Sequence, residues 1–169
     1  MAALTAARLT ESFPDGPIRT RSYKMGGAEK VYQGGLVALD ASGFALAAAD
    51  AANLTVVGVA QDTVDNTGAD GDLSVTVAVG IFKFTATSIT NSVIGTMMYV
   101  VNDQEVDEAL GINGIKAGAL YRRESNTEGF IVVNGLSSGQ GTVLADGSDL
   151  ATTQALVNDL KKLFNKYVS

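Results

Sequence analysis

A chain of 169 residues with a net charge of −6 and neither Cys nor His excludes disulfide frameworks, thiolate or imidazole metal sites and every Ser-His or Cys-His nucleophile pair. Twelve Lys and Arg against eighteen Asp and Glu also argue against a surface built to neutralise phosphates, so nucleic acid is not an expected partner. No apolar run approaches the ~18 residues of a membrane span, and Met1 to Arg8 lacks the basic-then-apolar order of a signal peptide, so a soluble protein made in a cytoplasm, without a membrane partner, is expected.

The charge is unevenly spread. Residues 1–30 hold Arg8, Arg19, Arg21, Lys24 and Lys30 against Glu11, Asp15 and Glu29, whereas residues 31–135 hold twelve acidic side chains against Lys83, Lys116, Arg122 and Arg123. A mildly basic arm thus precedes an acidic body. Pro14-Asp-Gly-Pro17 forms turns, and the first twenty-odd residues show no sustained period, so residues 1–23 are expected to be an extended arm outside the core. From Lys30 short apolar runs alternate with turns, and Asp40-Ala-Ser-Gly43 reads as a type I turn joining Leu36–Leu39 to Phe44–Leu46 as a hairpin. Ala47 to Asn53 is Ala-rich but too short to hold a helix unaided, so a single helical turn is expected there.

The stretch from Thr55 to Thr85 organises the rest. Leu73, Val75, Val77 and Val79 alternate with Ser74, Thr76 and Ala78, the period of a strand with one face buried. Beyond Gly80, Phe82 and Phe84 lie on the opposite parity, which predicts a bulge or kink at Gly80. Met97–Val101 reads as a buried strand, and Ala119–Arg123 and Phe130–Val133 flank the hairpin loop Ser125–Gly129. About eight short strands in residues 24–136 predict a mainly β fold, a small barrel or sandwich. Residues 137–148 form a Gly/Ser-rich linker. Residues 149–169 follow as a C-terminal α-helix, capped by Ser148 or Asp149, with Leu150, Leu156, Val157, Leu160, Leu163, Phe164 and Tyr167 on one stripe. A lone amphipathic helix of this length is marginal in water and must pack on something, and Leu156, Leu160, Leu163, Phe164 and Tyr167 are its oligomer contact if that partner is another copy. A homotrimer is the favoured arrangement, packing back on its own barrel the competing one and a dimer the next.

No motif points to catalysis. Asp65-Asn-Thr-Gly-Ala-Asp70 differs from the Asp-Thr-Gly-Ala-Asp of retroviral aspartic proteases by the inserted Asn66, which separates the carboxylate from the Thr-Gly that must follow it. Asp62, Asp65, Asp70 and Asp72 lack the spacing and terminal Glu of an EF-hand. Asp103, Glu105, Asp107 and Glu108 read as a solvated acidic loop rather than a glycosidase pair. Gly26-Gly27 and Gly34-Gly35 read as turn or bulge glycines. The expectation is a non-enzyme with no catalytic residues, no cofactor and no metal.

One family resemblance covers residues 28–133. Val31-Tyr-Gln-Gly-Gly-Leu-Val-Ala-Leu-Asp40, Gly43-Phe-Ala45, Val57-Gly-Val-Ala60, Val64-Asp-Asn66, Gly71-Asp72, Gly80-Ile-Phe82, Gly95 with Met98-Tyr-Val100, Asp103-Gln-Glu-Val106, Ala117-Gly118 and Gly129-Phe-Ile-Val132 occur in the order found in a family of tailed-bacteriophage capsid decoration, or cement, proteins. The chain resembles that family. The resemblance implies a β-barrel-like domain on the outside of the virion, binding the major capsid protein, bridging its neighbouring subunits and stabilising the shell. It transfers no catalytic residue, and both chain ends lie outside it. In that setting the arm's Arg8, Arg19 and Arg21 are expected to contact a neighbouring capsid or decoration subunit. The rival from another class is a glycan- or receptor-binding β module of a phage head or tail fibre, with Tyr23, Tyr32, Tyr99 and Tyr121 as stacking candidates.

Overall fold

The computed structural model describes residues 3–13 and 19–134, all within one compact unit, Met1–Ser138. The linker over 137–148 and the helix over 149–169, with Leu156, Leu160, Leu163, Phe164 and Tyr167, lie outside the described residues. The described residues form eleven strands in chain order: β1 Arg19–Lys24, β2 Glu29–Val31, β3 Leu36–Leu39, β4 Ala45–Ala47, β5 Thr55–Ala60, β6 Val64–Asn66, β7 Ser74–Ala86, β8 Met97–Asn102, β9 Glu105–Asp107, β10 Lys116–Arg123 and β11 Glu128–Val133. The fold is mainly β and contains a closed five-stranded barrel. Its strands run β7-β9-β8-β10-β11 and return to β7, antiparallel except where β9 lies parallel to β7. A second layer, β1-β7-β5-β3-β4, shares β7 with the barrel, and β2 pairs with β6 as a separate ribbon.

Successive residues of a strand present their backbone groups to opposite edges. On β7 and the residue before it, odd-numbered positions bond along one edge: the Leu73 carbonyl accepts from Met25 N–H, the Ile81 carbonyl from Phe13 N–H, and Lys83 N–H donates to the Glu11 carbonyl. Even-numbered positions bond along the other, where the Thr76 carbonyl accepts from Gln61 N–H and Ala86 N–H donates to Thr127. One edge of β7 therefore carries β1 and then residues 11–13, in line with each other, while the opposite edge carries β5 and then β11.

The parity change along β7 has a cause other than the expected bulge. Its ladders with β1 over Ser74–Val79 and with β11 over Gly80–Thr85 are free of register shifts. Ala78, Phe82, Phe84 and Ala86 face the barrel core with Leu120, Met98 and Ile131, whereas Val75 and Val77 face a second core with Met25, Val31 and Val57. The strand passes between two cores on its opposite faces, so the buried parity changes while the edge on which odd-numbered residues bond stays the same.

Two expected turns are present. Asp40 Oδ1 accepts from Ser42 and Phe44 N–H at 2.8 and 2.9 Å, and Gly43 at φ 86 closes the β3–β4 hairpin. The 125–129 loop joins β10 to β11, with Glu124 and Ser125 N–H both donating to the Glu128 carbonyl. The helical turn expected over Ala47–Asn53 is absent. Buried Ala48 gives its N–H to the Leu36 carbonyl, which extends the β4 pairing, and Asn53 at φ 63 turns the chain back toward β5. Glycines shape the barrel seam: register shifts flank Gly118 in β10, the kind of irregularity that curves a strand around a small barrel.

Candidate functional site

The N-terminal arm is not a free extension. Leu4 N–H donates to Asp103 Oδ1 at 2.8 Å, Arg8 N–H to the Gln33 carbonyl at 3.0 Å and the Thr10 hydroxyl to the Gly34 carbonyl at 2.7 Å. Glu11 and Phe13 then bond β7 as described, Lys83 and Glu11 form an ion pair at 3.0 Å, and Phe13 packs edge-on against Phe130. The expectation of an arm over 1–23 lying off the body is thus corrected: Leu4, Arg8 and Thr10 are tied to Asp103 and the Gln33-Gly34 turn, residues 11–13 run along β7, and Arg19–Lys24 are a strand of the second layer. The reason is backbone pairing, which an open strand edge offers to any adjacent extended chain.

Gly34 and Gly35 form the seat. A Cβ on Gly34, at φ 83, would lie 2.6 Å from Thr10 Oγ1 and still closer to the Arg8 carbonyl oxygen; on Gly35 it would lie 3.0 Å from Leu4 Cδ1. These glycines admit the arm, a role that the reading of them as turn residues misses. The seam keeps a cleft of about 200 Å³ beside Arg8, Thr10 and Gly34, smaller than the ~300 Å³ at which ordinary ligand pockets begin.

Beside the seat the expected solvated acidic loop is instead half buried. Asp103 and Glu105 are 2% and 5% exposed, Asp103 in the β8–β9 turn where the arm's Leu4 meets it and Glu105 at the start of β9. Asn102 Nδ2 and the Thr87 hydroxyl donate to Glu105, and Gln104 N–H donates to Asn102 Oδ1. Burial pushes the Asp103 carboxyl up, against the opposing pull of the Leu4 N–H, its own N–H and the Arg8 charge. Burial likewise lowers the pKa of Arg8, whose guanidinium lies 5.3 Å from the Phe84 ring centroid with a buried Nη2 that has no hydrogen-bond partner among the described residues.

Folded Asp103 holds its proton more tightly than the unfolded chain does, so its stabilising contribution is full below the ordinary value of 3.8 and is lost as pH rises through the raised value. Asp103→Asn keeps an acceptor for Leu4 and is neutral at every pH. The variant should melt above the native protein at neutral pH, and that gap should close on acidification through this window. A gap that widens as pH falls would show that ionised Asp103 stabilises the arm.

The three arginines expected at a neighbour contact separate. Arg8 is spent on its own body, whereas Arg19 and Arg21 are exposed on β1, opposite Val79 and Val77 of β7. With Lys24 they make β1 a strand of three cations and no carboxylate on an otherwise acidic body. Comparison with protein-family models, curated proteins and solved structures found no match.

The carboxylates of the 61–72 loop are engaged in structure. Asp62 accepts from Thr76 N–H, Asp70 from Gly27 N–H at 2.6 Å and Asp72 from Ala69 N–H, while Asp65 pairs with Lys30 at 2.7 Å. Buried Asn66, the residue that interrupts the protease-like motif, donates to the Gly26 and Ala69 carbonyls and accepts from Gly68 N–H. It ties β6 to the Met25–Gly27 turn. The candidate stacking tyrosines are spread over β1, the end of β2, β8 and β10; Tyr121 packs on Phe13 at 5.3 Å between ring centroids and Tyr32 lies under Lys30.

Proposed function

We propose that this is a capsid decoration protein. It binds the outer surface of a phage head, bridges major capsid subunits and stabilises the shell; it is made in the host cytoplasm and acts on the virion without chemistry. The observation that supports this reading is the resemblance over residues 28–133, whose separate segments supply the parts that shape one body. Val31, Leu36, Val57, Phe82, Met98, Val106 and Ile131 of those segments are core residues, Gly34-Gly35 seat the arm and Gly118 lies in the barrel seam. Within this reading the capsid-facing cations are Arg19 and Arg21.

Purified protein is expected to sediment with empty expanded heads, and Arg19→Glu/Arg21→Glu to bind them weakly. A glycan- or receptor-binding module would leave the heads bare. Self-association through Leu156, Leu160, Leu163, Phe164 and Tyr167, as a trimer or else a dimer, belongs to the same proposal, since it would set several bodies on equivalent sites at once. Sedimentation equilibrium should then show an oligomer that Leu160→Asp/Phe164→Asp converts to a folded monomer; a monomeric native protein would refute it.

A further inference from the structure

We infer that β1 is a docking edge for an extended acidic segment of a partner protein, which it takes up by strand addition. Among the described residues β1 ends the β1-β7-β5-β3-β4 layer and pairs only with β7. Its odd residues Arg19, Arg21 and Tyr23 lie opposite Val79, Val77 and Val75, and the odd residues of β7 are those that bond toward this edge. The backbone N–H and C=O groups of Thr20, Ser22 and Lys24 consequently point away from β7 into the open. Five of the six residues are exposed, and only Tyr23 is half buried, against the second core. An open row of donors and acceptors is what β-augmentation uses.

The side chains choose the occupant. Arg19 and Arg21 share one face two residues apart with half-buried Tyr23 beyond them, while Thr20, Ser22 and Lys24 share the other. A second β1 added antiparallel would bring these cations together and is disfavoured. A segment carrying carboxylates at alternate positions places them beside Arg19 and Arg21, with an apolar residue next in line for Tyr23. The occupant is therefore a strand of the pattern acidic, small polar, acidic, small polar, apolar. Cations on an edge strand also deter indiscriminate pairing, and the same charges that repel a like strand select this one.

This inference deepens the neighbour-contact reading of Arg19 and Arg21, and its test stands apart from head binding. The probe is a synthetic peptide alternating Glu and Thr and ending in Val, titrated calorimetrically against the intact protein. Ser22→Pro removes an outward N–H and leaves the β1–β7 ladder whole, since proline is tolerated on an edge. It is expected to weaken binding by at least about tenfold, as is Arg21→Glu. A peptide methylated on alternate amide nitrogens provides the same check without altering the protein: one frame should lose binding and the other keep it. Failure of the native protein to bind the alternating peptide overturns the proposal. Equal binding by Ser22→Pro and by both methylated frames would reduce it to charge attraction without strand addition, and also overturns it. Heads that remain unbound beside a bound peptide would sink the capsid reading alone.

Discussion

Gly118→Ala is expected to cost more than about 3 kcal/mol and to open the barrel at its β10–β11 seam. At φ 151 the residue occupies backbone space that L side chains rarely adopt, and an added Cβ would lie 2.8 Å from the Val132 carbonyl carbon and nearer still to its oxygen. Those are backbone atoms of the neighbouring strand, so relief requires moving the Ala119–Val132 pairing itself. Gly129→Ala is the informative comparison. There the nearest atom is the tip of the Leu120 side chain at 2.6 Å, which can turn aside, and φ is ordinary. Overpacking of that kind costs typically ~1–3 kcal/mol. Urea denaturation of both variants measures the difference, and a Gly118→Ala protein as stable as Gly129→Ala would show that the seam is not rigid.

Gly34→Ala should evict the arm. All three atoms nearest to its added Cβ belong to Arg8 and Thr10, so the clash falls on the arm rather than on the barrel. Left-handed backbone at φ 83 adds a strain of about 1–2 kcal/mol whether or not the arm is present. The two contributions separate in a double-mutant cycle with deletion of residues 1–13. Gly34→Ala should be clearly more costly in the intact chain than in the shortened one, with a coupling of roughly 1–3 kcal/mol. Costs equal in the two backgrounds, within about 0.5 kcal/mol, would mean that the arm does not rest on Gly34. Limited proteolysis gives an independent view, since an evicted arm should be cut first.

What the sequence made legible was what repeats locally. The strand announced by Val75, Val77 and Val79, the Asp40 turn and the 125–129 hairpin are local signals and are present, although Leu73 at the head of that alternation is exposed and Ala78, expected to face water, is buried in the barrel core. The helical stripe over 149–169 was equally local, but it lies outside the described residues. The arm seat was illegible because its halves are far apart: Leu4 meets Asp103 across ninety-nine positions, and nothing near Asp103 predicts that a distant segment will bury it. β1 escaped notice because Arg-Thr-Arg-Ser-Tyr-Lys has no apolar face to alternate, being exposed on both sides. At Gly80 a single strand shared by two cores produces the parity change that a bulge would also give, and only the distant partners of each face tell the two apart.

That shared strand also imposes a timetable on synthesis. β1 has no strand partner until Ser74–Ala86 leaves the ribosome, whereas β5 already has β3, and the barrel closes only when Glu128–Val133 arrives. At roughly 5–20 residues per second, the completed Lys24 waits about three to ten seconds for its complement. Nascent chains on neighbouring ribosomes expose the same segments during this interval, when an unpaired strand is most prone to join the wrong chain. The cations of β1 repel another β1 throughout that wait, so the strand reaches β7 unpaired.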